Sequence, residues 1–155
     1  MSELVVREDD LTGPEVVTLL GQHLDDMHSH TPAESVHALD VDILRGDDVT
    51  FWSAWSGDAL AGCGALKQID PAHGEIKSMR TADAFRGQGV ASLVLAHLLA
   101  AARARGYRRV SLETGSNPPF DPARRLYERH GFTYVEPFAD YEPDPWSVFM
   151  SLDLA

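Results

Sequence analysis

The stretch whose residue types point most directly to chemistry is Arg86-Gly87-Gln88-Gly89-Val90-Ala91. It stands between a strand-like run, Glu75 to Thr81, and a helix-like one, so two glycines open a helix. With no Cβ in the way, backbone there can approach a ligand closely. A helix's first turn has N–H groups without intrahelical partners and carries the positive end of the macrodipole. The chemistry implied is anion binding, phosphate above all. The loop fills only two of the three glycines of a dinucleotide fingerprint and lacks the Gly-Lys-Ser/Thr ending of a P-loop. Taken alone, it is equally consistent with a glycine-rich connection that binds nothing.

Two other groups invite chemistry and lose it on inspection. His28, His30 and His37 fall close together, but His28 and His30 are two apart, so they do not share a helix face, and no cysteine joins them. No metal site is expected. The single cysteine, Cys63, lies between Gly62 and Gly64 in a strand-like run, where it reads as a small buried hydrophobe. Nothing near it in sequence would lower its pKa.

Elements must hold the loop in place. Val90, Leu93, Val94, His97, Leu98 and Ala101 recur at helical spacing, Arg103 and Arg105 suit the last turn, and Gly106 is a stop. Leu4 to Glu8 reads as a first strand. Thr12-Gly13-Pro14 opens a helix whose stripe is Val16, Val17, Leu19, Leu20, Leu24 and Met27. Thr31-Pro32-Ala33-Glu34 starts a second, short helix with the spacing of a capping box. Val49 to Trp55 and Ala59 to Ile69 flank the turn Ser56-Gly57-Asp58. In Glu75 to Thr81, Ile76, Ser78 and Arg80 alternate against Lys77 and Met79. Arg109 to Thr114 follows, then a helix begun by Asp121-Pro122 and ended by Gly131. Phe132 to Val135 and Ser147 to Leu152 close the order as paired strands. The expectation is an α/β (α+β) fold: a mixed, mostly antiparallel sheet of about seven strands flanked by about four helices.

At 155 residues the chain suits one domain spanning 1–155. It has no run long enough to span a membrane and no charged-then-apolar leader. One cysteine fits a reducing cytoplasm. A net charge of -11 argues against nucleic-acid binding. Residues 67–131 nevertheless hold 11 Lys/Arg against 6 Asp/Glu, and the rest 2 against 18. A basic middle within acidic flanks suits a polyanionic cofactor.

Arg86 to Ala91 fits the Arg/Gln-x-x-Gly-x-Gly/Ala signature of the GNAT superfamily of N-acetyltransferases, and the chain resembles its small bacterial single-domain type. Leu126-Tyr127-Glu128-Arg129-His130-Gly131-Phe132 resembles a second family element, and the order of strands and helices matches. The resemblance implies acetyl-coenzyme A as cofactor, its diphosphate held by Arg86, Gly87, Gln88, Gly89, Val90 and Ala91. It implies further contacts from the strand at Met79, Arg80 and Thr81. At the position where relatives often carry asparagine for the pantetheine, this chain has Phe120, with Asn117 nearby but out of frame.

Acetyl transfer to an amine needs a base for the amine, donors for the oxyanion and an acid for the departing thiolate. A positioned acid or base contributes about 10²- to 10⁴-fold. Tyr127 resembles the family's general acid and is also a cofactor contact. Leu112-Glu113-Thr114 resembles the strand whose glutamate is the base in bacterial ribosomal-protein acetyltransferases, although Glu113 lies farther from Tyr127 than in that pattern. Glu75 is the reserve base. By resemblance, the segment His30 to Asp40 walls the acceptor pocket, with His30 and His37 as contacts. Arg80 either binds an acceptor carboxylate or is solvated. Either backbone meets the cofactor at that position or Phe120 lines the acceptor pocket instead, and Trp52, Phe138 and Tyr141 could complete an enclosed pocket. The expected activity is direct transfer of acetyl to the primary amine of a small or amino-acid-like molecule, by a monomer or homodimer. Acetylation of a protein N-terminus, or acyl-CoA binding without turnover, are the alternatives.

Overall fold

A computed structural model describes residues 3–35 and 44–154. Among these residues seven strands form one sheet: β1 Leu4–Glu8, β2 Val49–Ser56, β3 Ala59–Asp70, β4 His73–Thr81, β5 Arg109–Gly115, β6 Thr133–Val135 and β7 Ser147–Asp153. Three α-helices accompany them: α1 Pro14–His30, α2 Val90–Ala104 and α3 Asp121–Arg129. Sheet order is β1-β2-β3-β4-β5-β7-β6. Every pairing is antiparallel except β4 with β5, which α2 connects in parallel. The expected mixed, mostly antiparallel sheet is present. Where the sequence predicts the second short helix, the described residues hold a single 3₁₀ turn, Ala33–Ser35, and residues 36–43 lie outside the described residues.

Local chemistry explains the main junctions. The β2–β3 hairpin turns at Gly57, φ +58, a left-handed conformation glycine adopts without penalty. Proline stands in the first turn of α1 and of α3, where its missing N–H would have had no partner. No helix among the described residues is long and apolar enough to cross a membrane.

Alternation along the strands supplies a core on each face. On one, α2 and α3 cover Leu66, Ile76, Val110, Leu112 and Met150. On the other, α1 covers Phe51, Cys63 and Ala65 with Val16, Leu19 and Leu20. Both helix stripes differ from the sequence expectation. In α1, Val17 is exposed. In α2 the expected Val90, Val94 and Leu98 are buried, but Leu95, Leu99 and Ala102 join them, and His97 faces solvent, its Nδ1 3.1 Å from the Leu93 carbonyl. An apolar stripe wider than one line of residues leaves the rotation of a helix to its neighbours.

The strand alternation is also corrected at one point. Ser78 has φ +56 within a bulge between β3 and β4. The extra residue moves the phase by one. Met79 consequently packs with Ile76 on the α2 side, while Lys77 and Arg80 pair with Ala65 and Cys63 on the α1 side.

Candidate active site

β4 and β5 pair only from His73 and Arg109 to Ile76 and Leu112. Beyond that, β4 continues to Thr81 and β5 to Gly115 without pairing to each other. The bulge at Ser78 and the wide 3₁₀ turn Pro118–Phe120 carry the two ends apart. A cleft of about 110 Å³ occupies the gap, lined by His23 and Met27 of α1, Glu75 through Met79, Glu113, Thr114, Phe120, Ala123 and Tyr127. A larger open concavity, about 910 Å³, lies across β1 and the start of α1 among Arg7, Asp9, Asp10 and Arg45. None of its lining residues comes from the parting strand ends, so the smaller cleft is where the chemistry converges.

The carboxylates lie on the α1 face of the sheet. Glu75 is 4% exposed, and its Oε2 accepts from Tyr141 OH at 2.6 Å and Lys77 Nζ at 3.1 Å. Lys77 also donates to the Tyr141 oxygen at 2.7 Å, closing a three-membered network. Burial, then the Glu75 charge, raises the Tyr141 phenol well above its ordinary range, so it stays a donor. Glu113 is half-buried, and its Oε2 accepts from Ser147 Oγ at 2.6 Å.

Tyr127 comes from the opposite side. It belongs to the core beneath α2, with its ring 5.7 Å from that of Phe132, and is 5% exposed. Burial first, and the Glu113 charge second, raise its pKa far above the phenol range. It is therefore a protonated group at neutral pH, able to donate. Phe120 lies flat over Gly115, where a Cβ would stand 2.1 Å from its ring. Glycine at the end of β5 is what lets that ring line the cleft.

Beside the gap, the glycine loop enters α2. Gly87 and Gly89 have φ +76 and +80, the sign that other residues adopt only at a cost. A Cβ on either would meet no protein atom within 4 Å, so the space before these amides is open. The loop's side chains turn to the preceding turn: Arg86 pairs with Asp83 at 2.8 Å, and Gln88 Nε2 donates to the Ala84 carbonyl at 3.4 Å. Val90 and Ala91, in the first turn of α2, have main-chain N–H groups without intrahelical partners. Just past the end of β4, Ala82 N–H donates to Ala61 on β3 at 2.8 Å, and alternation turns the Thr81 N–H toward the edge that β5 has left. An extended ligand with an anionic middle and an amide-bearing arm fits this pair of open backbones.

The remaining expected residues divide. Phe138 and Tyr141 sit on the loop between β6 and β7, which folds over the α1 face. Their rings are 5.2 Å apart, and each packs on Phe149, at 5.9 and 5.4 Å. Arg80 lies under α1, its guanidinium 2.5 Å from Asp26 Oδ2, while its backbone pairs with Cys63. Asn117 donates from Nδ2 to the His30 carbonyl at 2.9 Å, tying the end of α1 to the turn before α3. The His30 side chain is exposed. Trp52 is a correction: it is buried in the α2 core with the Arg105 guanidinium 5.8 Å above its ring, and does not line the cleft. His37 lies outside the described residues.

Sequence reasoning missed His23, Lys77, Ser78 and Ser147. His23 is one polar position on the amphipathic α1, and nothing in its local sequence marks it. The Ser78 bulge has no local turn signal, and Ser147 reaches Glu113 only because β5 and β7 are neighbours. Cys63 behaves as read: burial pushes its thiol up to about 12, and it donates to the Ser78 carbonyl at 3.3 Å.

The model of the Acetyltransferase (GNAT) family matches residues 17–132. The uncharacterized N-acetyltransferase YsnE of Bacillus subtilis is 58% identical over 96% of this chain and 99% of its own. An IAA acetyltransferase of Azospirillum brasilense is 34% identical, covering 90% and 89%. Among solved structures, a protein of Klebsiella pneumoniae assigned as an acyl-CoA N-acyltransferase superposes with a TM-score of 0.80 at 29% identity, covering 98% of each chain. An acetyltransferase of Bacillus subtilis in complex with CoA superposes at 0.71 with 18% identity, over 99% and 100%. With the match running from within α1 to just past α3 and the fold shared over nearly its whole length, the chain belongs to the GNAT family of acetyltransferases.

Proposed function

We propose that the protein transfers acetyl from acetyl-coenzyme A directly to the primary amine of a small acceptor, with Glu113 as the base and Tyr127 as the acid. The observation that carries this reading is that the two residues line one gap from opposite faces of the sheet. An acceptor on the α1 face then meets a carboxylate, and the leaving group on the other side meets a phenol. Glu113 takes the amine proton; Ser147 holds its carboxylate in place. Tyr127, kept protonated by burial, gives its proton to the departing thiolate.

The bound acetyl-coenzyme A supplies an activated acetyl thioester. Main-chain amides from Gly87 to Ala91 hold its diphosphate, and the free edge at Thr81 holds its arm. A solved relative of this fold carries CoA, which supports that assignment. Glu75 is the less suited base, because the oxygen that accepts from Tyr141 also accepts from Lys77. A small acceptor is favoured over a protein terminus by the β6–β7 loop. It is pinned by Tyr141 on Glu75 and by Ser116, whose N–H and hydroxyl donate to the Trp146 and Pro145 carbonyls at 3.1 and 2.6 Å.

The test is thiol release from acetyl-coenzyme A across a panel of primary amines, with pH–rate profiles for the wild type and Glu113→Gln. We expect turnover with at least one small amine and loss of about 10²-fold or more in the variant, with its acidic limb gone. An unchanged profile in Glu113→Gln removes the base assignment.

A further inference from the structure

We propose that the acceptor is a zwitterion of amino-acid size, its amine facing Glu113 and its carboxylate held by Ser78, His23 and Arg80. This deepens the acetyl-transfer reading and rests on it. Buried polar atoms without a partner are rare, and each costs about 1–3 kcal/mol when left so. Among the described residues such atoms include His23 Nδ1, Ser78 Oγ and Arg80 Nε. These three belong to one place. His23 and Ser78 line the cleft, and Arg80, two residues beyond Ser78, pairs with Asp26, one turn of α1 beyond His23.

Their chemistry selects the missing partner. Arg80 Nε can only donate, and Ser78 Oγ has a hydroxyl proton to give. Burial, then the nearby Arg80 charge, lowers the His23 pKa to about 4, so at neutral pH its ring is uncharged. A carboxylate offers about four lone-pair sites on two oxygens and satisfies several donors at once, which a single hydroxyl cannot do. Asp26 engages Arg80 through Nη2, leaving Nε, and Asp26 itself is 46% exposed where Arg80 is only 13%. Ser78, at φ +56 in the bulge, lines the cleft with its hydroxyl buried and unpaired among the described residues.

Glu113 supplies the opposite pole. It lines the same cleft across the gap from β4, so a molecule bearing an amine at one end and a carboxylate at the other is matched at both. The cleft's volume of about 110 Å³ limits the body between them.

Matched pairs of acceptors test this: the common amino acids, each against the amine lacking its carboxylate, scored by thiol release at saturating acetyl-coenzyme A. At least one amino acid should exceed its decarboxylated partner by about 10²-fold or more in kcat/KM, the discrimination expected when buried donors lose their acceptor. In Ser78→Ala and Arg80→Lys that ratio should fall at least tenfold. The wild-type ratio stands whether or not those variants fold. Turnover of amines with equal or lower kcat/KM for the amino acids overturns this inference and leaves acetyl transfer in place. Release with no amine at all overturns both.

Discussion

β4 and β5 are the same two strands over their whole length, yet their two halves do opposite work. From His73 to Ile76, β4 is bonded to β5, and Ile76 and Leu112 are buried in the α2 core. From Lys77 to Thr81 the pairing has ended; every side chain but Met79 is charged or polar, and three polar atoms nearby have no partner among the described residues. A paired half satisfies itself and gives stability. A parted half leaves amides and side chains for a ligand to satisfy, and gives function at some cost in stability. Substitutions in the two halves should therefore separate activity from folding.

Tyr127→Phe should separate them most. The ring stays in the core, so thermal stability should change little, while turnover falls by about 10²- to 10⁴-fold in a thiol-release assay. A variant with full turnover would mean that the parted half does not use this phenol.

His23 gives the next largest effect, as a pH dependence. Its folded pKa of about 4 lies below the ordinary 6.5, so the unfolded chain takes up this proton first as pH falls. Its contribution is complete above about pH 6.5 and is lost down to about pH 4, up to about 3 kcal/mol in all. Urea midpoints at pH 7 and 4.5, compared with those of His23→Gln, should show the wild type losing more. Equal losses would show that the ring is not held neutral.

Val110→Ala strikes the paired half. Val110 is fully buried opposite Gly74, and removing two methyl groups costs about 2 kcal/mol with the cavity included. Calorimetry should show Tm lower by about 4–8 °C, with kcat per folded molecule unchanged. A large loss of kcat would break the division between the halves.

Gly89→Ala is the smallest change. At φ +80 an alanine costs about 1 kcal/mol. The strain falls on the loop that faces the anion, so titration calorimetry should show weaker acetyl-coenzyme A binding, by roughly tenfold or less. Unaltered affinity would place the diphosphate elsewhere.

Legibility followed the range of the forces. Leu4–Glu8, the turn at Gly57, the glycine-led start of α2 and the proline starts of α1 and α3 were readable because each depends on residues within one turn of itself. Glu113 and Tyr127 were singled out through their resemblance to known motifs, and both line the cleft. The phase of Met79 and Arg80 was not, because the bulge at Ser78 arises from the match between β3 and β4. Nor was the burial of Trp52 under α2, since an aromatic residue on a strand suits a core and a pocket equally.

The amino-acid sequence by itself determined the order of elements, the open amides at Gly87 to Ala91 and the residue types available for acid–base chemistry. Backbone conformation, helix starts and charge are local properties of the chain. Tertiary structure alone decided that β4 and β5 part after Ile76, that α1 brings His23 to the gap, and that Tyr127 meets Glu113 through the sheet. Those are contacts between segments far apart in sequence, set by how three layers pack, and no window of neighbouring residues contains them.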